Sequence, residues 1–277
     1  MERFGVPQLY KDIHIEKYNS RAAADMPHMH SHAFHELYFL ISGERRYFLG
    51  HEIYDMNPGE LVVIPCNVLH RTTALNKKGY ERYVVYFQER YIDGLISSIG
   101  REAFDELLKM GCVEFSKEGS DFITQSLIRL ESELGSENKY SEAVQKNIFE
   151  QILLYILRHG NKKKNERKKD TDKIQEAAKY ISKNYYKEIS LSDIASKAFM
   201  EETYFSKKFK QMTGFGFKEY LVMTRIKAAQ QLLLTTDKSI GEISELCGFT
   251  SSNYFGDAFR RFYGKSPSKY RDDWGRD

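Results

Sequence analysis

With 277 residues, 41% of them hydrophobic, the chain has material for two cores and is too long for one small domain. Its first charges precede no apolar run, and no stretch approaches the roughly eighteen apolar residues of a membrane span, so neither signal peptide nor span is read and a cytoplasmic setting is expected. Residues 1–160 carry 18 Lys and Arg against 23 Asp and Glu, residues 161–171 carry 6 against 2, and residues 172–277 carry 18 against 14, so an anionic partner, nucleic acid or membrane surface, is expected for the basic rear alone.

From residue 1 to about 95, short runs such as ELYFLI, RRYFLG, ELVVIP and RYVVYF alternate with Gly, Pro, Asn and Asp, the pattern of a strand meander in a sandwich or barrel. Within it stands His30-x-His32-x3-Glu36, then Gly43, then Gly59, Pro65 and His70. Residues 30, 32 and 36 share one face of a regular strand, so three ligands would point inward together. This arrangement resembles the two-part signature of the cupin superfamily, small β-barrels whose histidines and glutamate converge on an interior metal. The resemblance implies His30, His32, Glu36 and His70 as ligands of a divalent ion, and imidazole with carboxylate suits Zn, Ni, Fe or Mn. Two residues depart from the signature: Asn67 stands where a glycine is expected and Ala74 where an asparagine is, and neither removes a ligand. The other reading of the set is histidines that hydrogen-bond a ligand or one another. His28, His35 and His51 lie off the pattern and read as surface or packing residues. A pocket for an organic effector would add Tyr38, in parity with Glu36, and Thr72, in parity with His70. It would also take Arg82 or Tyr83, depending on register, beside His30 and His70.

From Arg101 the period becomes helical. Phe104, Leu107 and Leu108 come first, then Phe122, Ile123, Leu127 and Leu130, then Val144, Ile148, Ile152 and Ile156 four residues apart on a helix of roughly 140–158. That last stripe must be buried, against the barrel or in a dimer seam. Residues 161–171, with NKKKNERKKD, hold no apolar side chain and read as a charged tether between domains 1–160 and 172–277. Cys66, Cys112 and Cys247 lack paired CxxC spacing and are expected as reduced, mostly buried thiols.

The rear half repeats itself. Tyr204, Phe205, Phe209, Gly214 and Tyr220 recur fifty residues on as Tyr254, Phe255, Phe259, Gly264 and Tyr270, while Ile194 matches Ile243 at forty-nine, so the second copy gains one residue in its turn. Ser190 with Asp193, and Ser239 with Glu242, have capping-box spacing and mark helix starts. Phe205 and Phe209, like Phe255 and Phe259, lie four apart and anchor the second helix of each copy by one face. Helix-turn-helix units are therefore expected at about 190–213 and 239–263. YLVMTRIKAAQQLLLTT would join them as one helix of four or five turns. From about Asp172 to Trp274 the chain resembles the DNA-binding domain of the AraC/XylS family of transcriptional regulators. RIKAAQQLLLTTDKSIGEISELCGF followed by YFGDAFRRFYGKSPSKYR carries the likeness.

That resemblance implies an all-β cupin-like sensor barrel with flanking helices, followed by an all-α domain of two helix-turn-helix motifs whose second helices enter successive major-groove segments. Base contacts would fall on Thr203, Ser206 and Lys207, and on Asn253, Gly256 and Asp257. Lys208, Lys210, Arg260 and Arg261 suit phosphates, which position rather than specify. Asp257 stands where arginine is frequent in the family and would make the second copy the weaker or different reader, while Glu201 and Glu202 open the first recognition helix with acids. The implied partners are double-stranded DNA, a small-molecule effector such as a sugar, a second copy of the chain and RNA polymerase. No catalytic set is read. A cupin-type oxygenase or isomerase would leave the repeat without purpose, and a protein-binding helical bundle would show no DNA retention.

Overall fold

The computed structural model describes residues 12–22, 31–164 and 169–274. The chain divides into two compact units, Met1–Glu166 and Arg167–Asp277. The first unit begins with β1 (Ile13–Ala22), β2 (His35–Ser42), β3 (Arg45–Leu49), β4 (Glu52–Met56), β5 (Leu61–Ile64), β6 (His70–Ala74) and β7 (Lys78–Phe87). There follow α1 (Asp93–Ile99), α2 (Arg101–Leu108), β8 (Cys112–Glu114), α3 (Lys117–Leu134), α4 (Ser141–His159) and β9 (Asn161–Lys162). One sheet has the order β1-β7-β2-β5-β8-β9 and the other β4-β3-β6.

Neighbouring residues of a strand point to opposite faces, and here both faces of the long sheet are covered. Leu37 and Phe39 of β2 and Tyr83, Val85 and Phe87 of β7 enter a core completed by Phe104 and Leu107 of α2, Ile123, Leu127 and Leu130 of α3, and Ile148, Ile152 and Ile156 of α4. Tyr38 and Leu40 of β2, with Tyr80, Val84 and Tyr86 of β7, meet Tyr47, Leu49, Tyr54 and Met56 from the short sheet in a second core between the sheets. Double coverage is why ELYFLI and RYVVYF are near-continuous apolar runs rather than alternating ones. The α4 stripe is resolved in favour of intramolecular packing: Ile148, Ile152 and Ile156 are buried against the long sheet, with Val144 alone at 38% exposure. Ile152 and Ile156 retain no surface for a dimer seam.

Of the expected tether, residues 165–168 lie outside the described residues, while 161–163 are held on the first unit. Asn161 and Lys162 pair with Glu114 and Val113 of β8, adding a last strand to the long sheet. Lys163 turns inward, its ammonium donating to the Glu60 carboxylate and to the Asp55 carbonyl. A charged residue without apolar neighbours is held here because a buried carboxylate matches it, which composition alone does not reveal.

The second unit consists of α5 (Lys169–Asn184), α6 (Leu191–Lys197), α7 (Glu202–Thr213), α8 (Phe217–Thr235), α9 (Ile240–Leu246), α10 (Ser252–Tyr263) and α11 (Pro267–Trp274). Both capping boxes form, at Ser190 with Asp193 and at Ser239 with Glu242. The α8 helix is the expected rod between the copies, about 28 Å long at 1.5 Å per residue. The repeat is longer than the aromatic matches indicate. Ile174, Ala177, Ala178 and Ile181 of α5 are buried at the spacing of Ile226, Ala229, Gln230 and Leu233 of α8, and α11 repeats the start of α8, with Tyr270 for Tyr220.

Candidate functional site

Between the two sheets the first unit encloses polar side chains. Glu36, Tyr38, Arg82, His70 and Thr72 all take the inter-sheet parity, as does Arg45, which the sequence reading left out. The register places Arg82 inside and turns Tyr83 to the helix side, where its hydroxyl donates to Glu131 Oε2 at 2.7 Å. His30 lies outside the described residues. His32 does not belong to a strand, because β2 starts at His35; it reaches inward from a bend through Ala33 and Phe34. The single regular strand expected to carry 30, 32 and 36 is therefore not what forms. Its register is broken where the His32 carbonyl accepts from the Asn67 amide at 2.7 Å. Asn67 sits at φ 59°, a left-handed conformation that asparagine tolerates best after glycine, which accounts for the signature's glycine at this place. His35 is a packing residue on the helix side, against Glu89 and the Cys66 amide.

His32, Glu36 and His70 are all buried, and one ligand atom from each lies within 4.8 Å of the others. Glu36 Oε2 is 2.9 Å from His32 Nε2 and 3.3 Å from His70 Nε2. On the far side of each ring, Nδ1 faces a backbone carbonyl, Phe34 O at 2.7 Å and Val68 O at 2.8 Å. A carbonyl only accepts, so each Nδ1 carries the proton, and a neutral ring then turns its Nε2 lone pair toward a carboxylate that is also an acceptor. Three acceptors converging in a dry place need a cation among them, either protons on both rings or a metal ion. Burial pushes the Glu36 carboxyl up, but the two imidazoles outweigh it and hold it well below the usual carboxylate range. Tyr47 donates to the other oxygen, Oε1, at 3.5 Å. The donor set fits a divalent ion: bonds of about 2.05 Å at a tetrahedral centre set ligand atoms about 3.3 Å apart.

In the second unit α7 and α10, the second helix of each repeat, are buried in the same order along their length. Phe205 and Phe209, and Phe255 and Phe259, are fully covered, and the opposite face is open. Thr203, Lys207 and Lys210 are exposed and Ser206 partly so; Asn253, Asp257, Arg260 and Arg261 are exposed and Gly256 partly so. Lys208 is an exception, turned toward α5 with its ammonium 3.5 Å from Asp170. Asp257 lies 3.5 Å from Arg260, so its charge is partly offset on its own helix. Glu201 is the N-cap of α7, its carboxylate accepting from the Thr203 and Tyr204 amides, which explains an acid at this end. Ser251 caps α10. The sequence reading missed Tyr204 and Tyr254, equivalent positions about half exposed beside the open faces. Their recurrence at fifty residues is the signal in the sequence that could have found them.

Comparison with known proteins follows the same division. The family model described as the AraC-like ligand binding domain matches residues 15–153, and a helix-turn-helix domain model matches residues 194–273. An uncharacterised HTH-type transcriptional regulator of Staphylococcus aureus strain MRSA252 is 26% identical over 243 residues, covering 85% of this chain; the chain spans 31% of that relative's length. The HTH-type transcriptional activator RhaR of Mannheimia succiniciproducens is 24% identical over 243 residues, covering 88% of this chain and 86% of that protein. Among solved structures, the DNA-binding domain of AdpA in complex with a target DNA is 30% identical, covering 36% of this chain and 91% of that one with a TM-score of 0.36. With one family model spanning half of its length and a second covering most of the repeat, the chain belongs to the AraC/XylS family of transcriptional regulators.

Proposed function

We propose that this protein is a sequence-specific DNA-binding transcriptional regulator, acting in the cytoplasm and controlled by a small molecule held between the sheets of its first unit. The observation that carries the reading is the pair of recognition helices with matching buried aromatics and matching open faces. Thr203, Ser206 and Lys207 read bases in the first copy and Asn253, Gly256 and Asp257 in the second. Lys210, Arg260 and Arg261 hold phosphates. Sequences selected from random DNA by the full chain test this: affinity should fall steeply with salt, and Lys207→Ala should weaken it. Affinity indifferent to both would sink the reading. Partners proposed with it are RNA polymerase and a second copy of the chain. The pairing surface lies away from the buried α4 stripe, and sedimentation of the full chain measures it.

The His32, Glu36 and His70 cluster supports a second proposal, that the first unit binds Zn, Ni, Fe or Mn. Bound there, the ion supplies charge neutralisation and a cross-link. His70 stands on the short sheet and Glu36 on the long one, so the two residues hold the sheets at a fixed separation. The family resemblance supplies a sugar or sugar derivative as the effector class.

A further inference from the structure

On one flank of the open face of α7, a single acid holds two donors. Tyr204 and Lys208 are four residues apart, and each directly follows a residue of the open face, Thr203 or Lys207, so they form the adjoining row of the helix. Both reach the same oxygen of Asp170, the second residue of α5. The Tyr204 hydroxyl donates to Asp170 Oδ2 at 2.7 Å, and the Lys208 ammonium stands 3.5 Å from it. The Tyr204 hydroxyl, and after it the Lys208 charge, hold the Asp170 carboxyl below its ordinary range, so it is an anion at neutral pH. The second copy lacks this arrangement. At the offset of fifty-two that relates α5 to α8, Asp170 corresponds to Val222, and at the offset of fifty Lys208 corresponds to Ala258. Val222 and Ala258 both pack on the core of that copy. An apolar pair suffices at these positions, so the fold does not demand the charged pair of the first copy.

A helix laid in the major groove has a phosphate backbone along each flank, so a lysine one row off the base-reading face is placed to neutralise a phosphate. Asp170 opposes that contact in two ways. It holds the ammonium toward α5, and its own charge repels a phosphate that approaches Lys208. The carboxylate is 36% and the ammonium 25% exposed, so the pair is a surface ion pair, weak enough for a phosphate to break. We propose that Lys208 is a phosphate contact of the first copy and that Asp170 competes with DNA for it, so that this copy grips DNA less tightly than its side chains allow. Tyr204 fixes the carboxylate for that role. The inference rests on the reading of α7 as a recognition helix, and adds the acid that restrains it.

The test measures the affinity of the full chain, across a salt series, for a duplex that it selects from random DNA. Asp170→Asn keeps the size of the side chain and an oxygen for the Tyr204 hydroxyl, and should bind about two- to fivefold more tightly, the range a surface ion pair spans. Its plot of log affinity against log salt should steepen by about 0.9, the value of one added phosphate contact. Asp172→Asn removes an equal charge from the same turn of α5 and should leave the slope unchanged. In a Lys208→Ala background, the gain from Asp170→Asn should shrink to that of Asp172→Asn. Binding by Asp170→Asn no tighter than wild type, a slope that does not steepen, or a gain that survives Lys208→Ala overturns the proposal. If the wild-type chain retains DNA in those cases, the regulator reading stands and only the restraint falls; retention by neither protein defeats both.

Discussion

Removing the negative charge at Glu36 separates the two cations that can satisfy the buried cluster. Glu36→Gln keeps the size of the side chain but leaves His32 Nε2 and His70 Nε2, 2.9 and 3.3 Å from Oε2, facing a neutral amide. If protons hold the cluster, breaking this buried pairing costs about 3–5 kcal/mol whatever metal is present. If a metal holds it, wild-type stability depends on the ion. At a free concentration one hundred times Kd, a ligand that binds only the folded state adds about 2.7 kcal/mol. At about 2–4 °C per kcal/mol for a unit of this size, that is a shift of roughly 5–11 °C. Calorimetry of the full chain, stripped by chelator and then titrated with Zn, Ni, Fe(II) or Mn, measures it. We expect the shift in wild type and its loss in Glu36→Gln. A wild-type Tm indifferent to all four ions refutes the metal.

Lys207→Ala should weaken binding to a selected DNA site and relax the choice of the base it reads, at a cost of about 1–3 kcal/mol. Lys208→Ala should do less, because that ammonium is turned to Asp170; filter binding across a salt series compares the two. Gly43→Ala should destabilise the first unit by at least about 1–3 kcal/mol in urea unfolding, since its φ is 88° and a Cβ would stand 2.6 Å from the Gly79 carbonyl oxygen. Ser239→Ala should cost about 1 kcal/mol in the second unit by removing the hydroxyl that caps the Glu242 amide, with a wild-type unfolding midpoint as the contrary result.

How much could be read in advance differs along the chain. The recognition helices were legible because their signals are local: a capping box spans four residues, and two aromatics four apart must share a helix face. The equivalence of α5 with the second half of α8 was not, since its offset is fifty-two rather than fifty and, of the four pairs, only Ile174 with Ile226 and Ala177 with Ala229 are identical. Burial at the same spacing relates all four. In the first unit, parity correctly placed Tyr38 and Thr72 on the faces of Glu36 and His70, but it failed at His32, where the chain bends before β2 begins. Arg45 went unremarked because an arginine inside RRYFLG looks like a solvated charge until its parity with Tyr47 is known.

The sequence by itself therefore determined the two-unit plan, the repeat and the chemistry of its open faces, because these follow from periods and caps within a few residues of each other. Tertiary structure decided three matters. It chose Arg82 rather than Tyr83 for the interior, since register depends on the partner strand. It spent the α4 stripe on the sheet, since an apolar face does not name what covers it. It also brought His32, Glu36 and His70 to one point from a bend and two different sheets, a convergence that spacing along the chain does not encode.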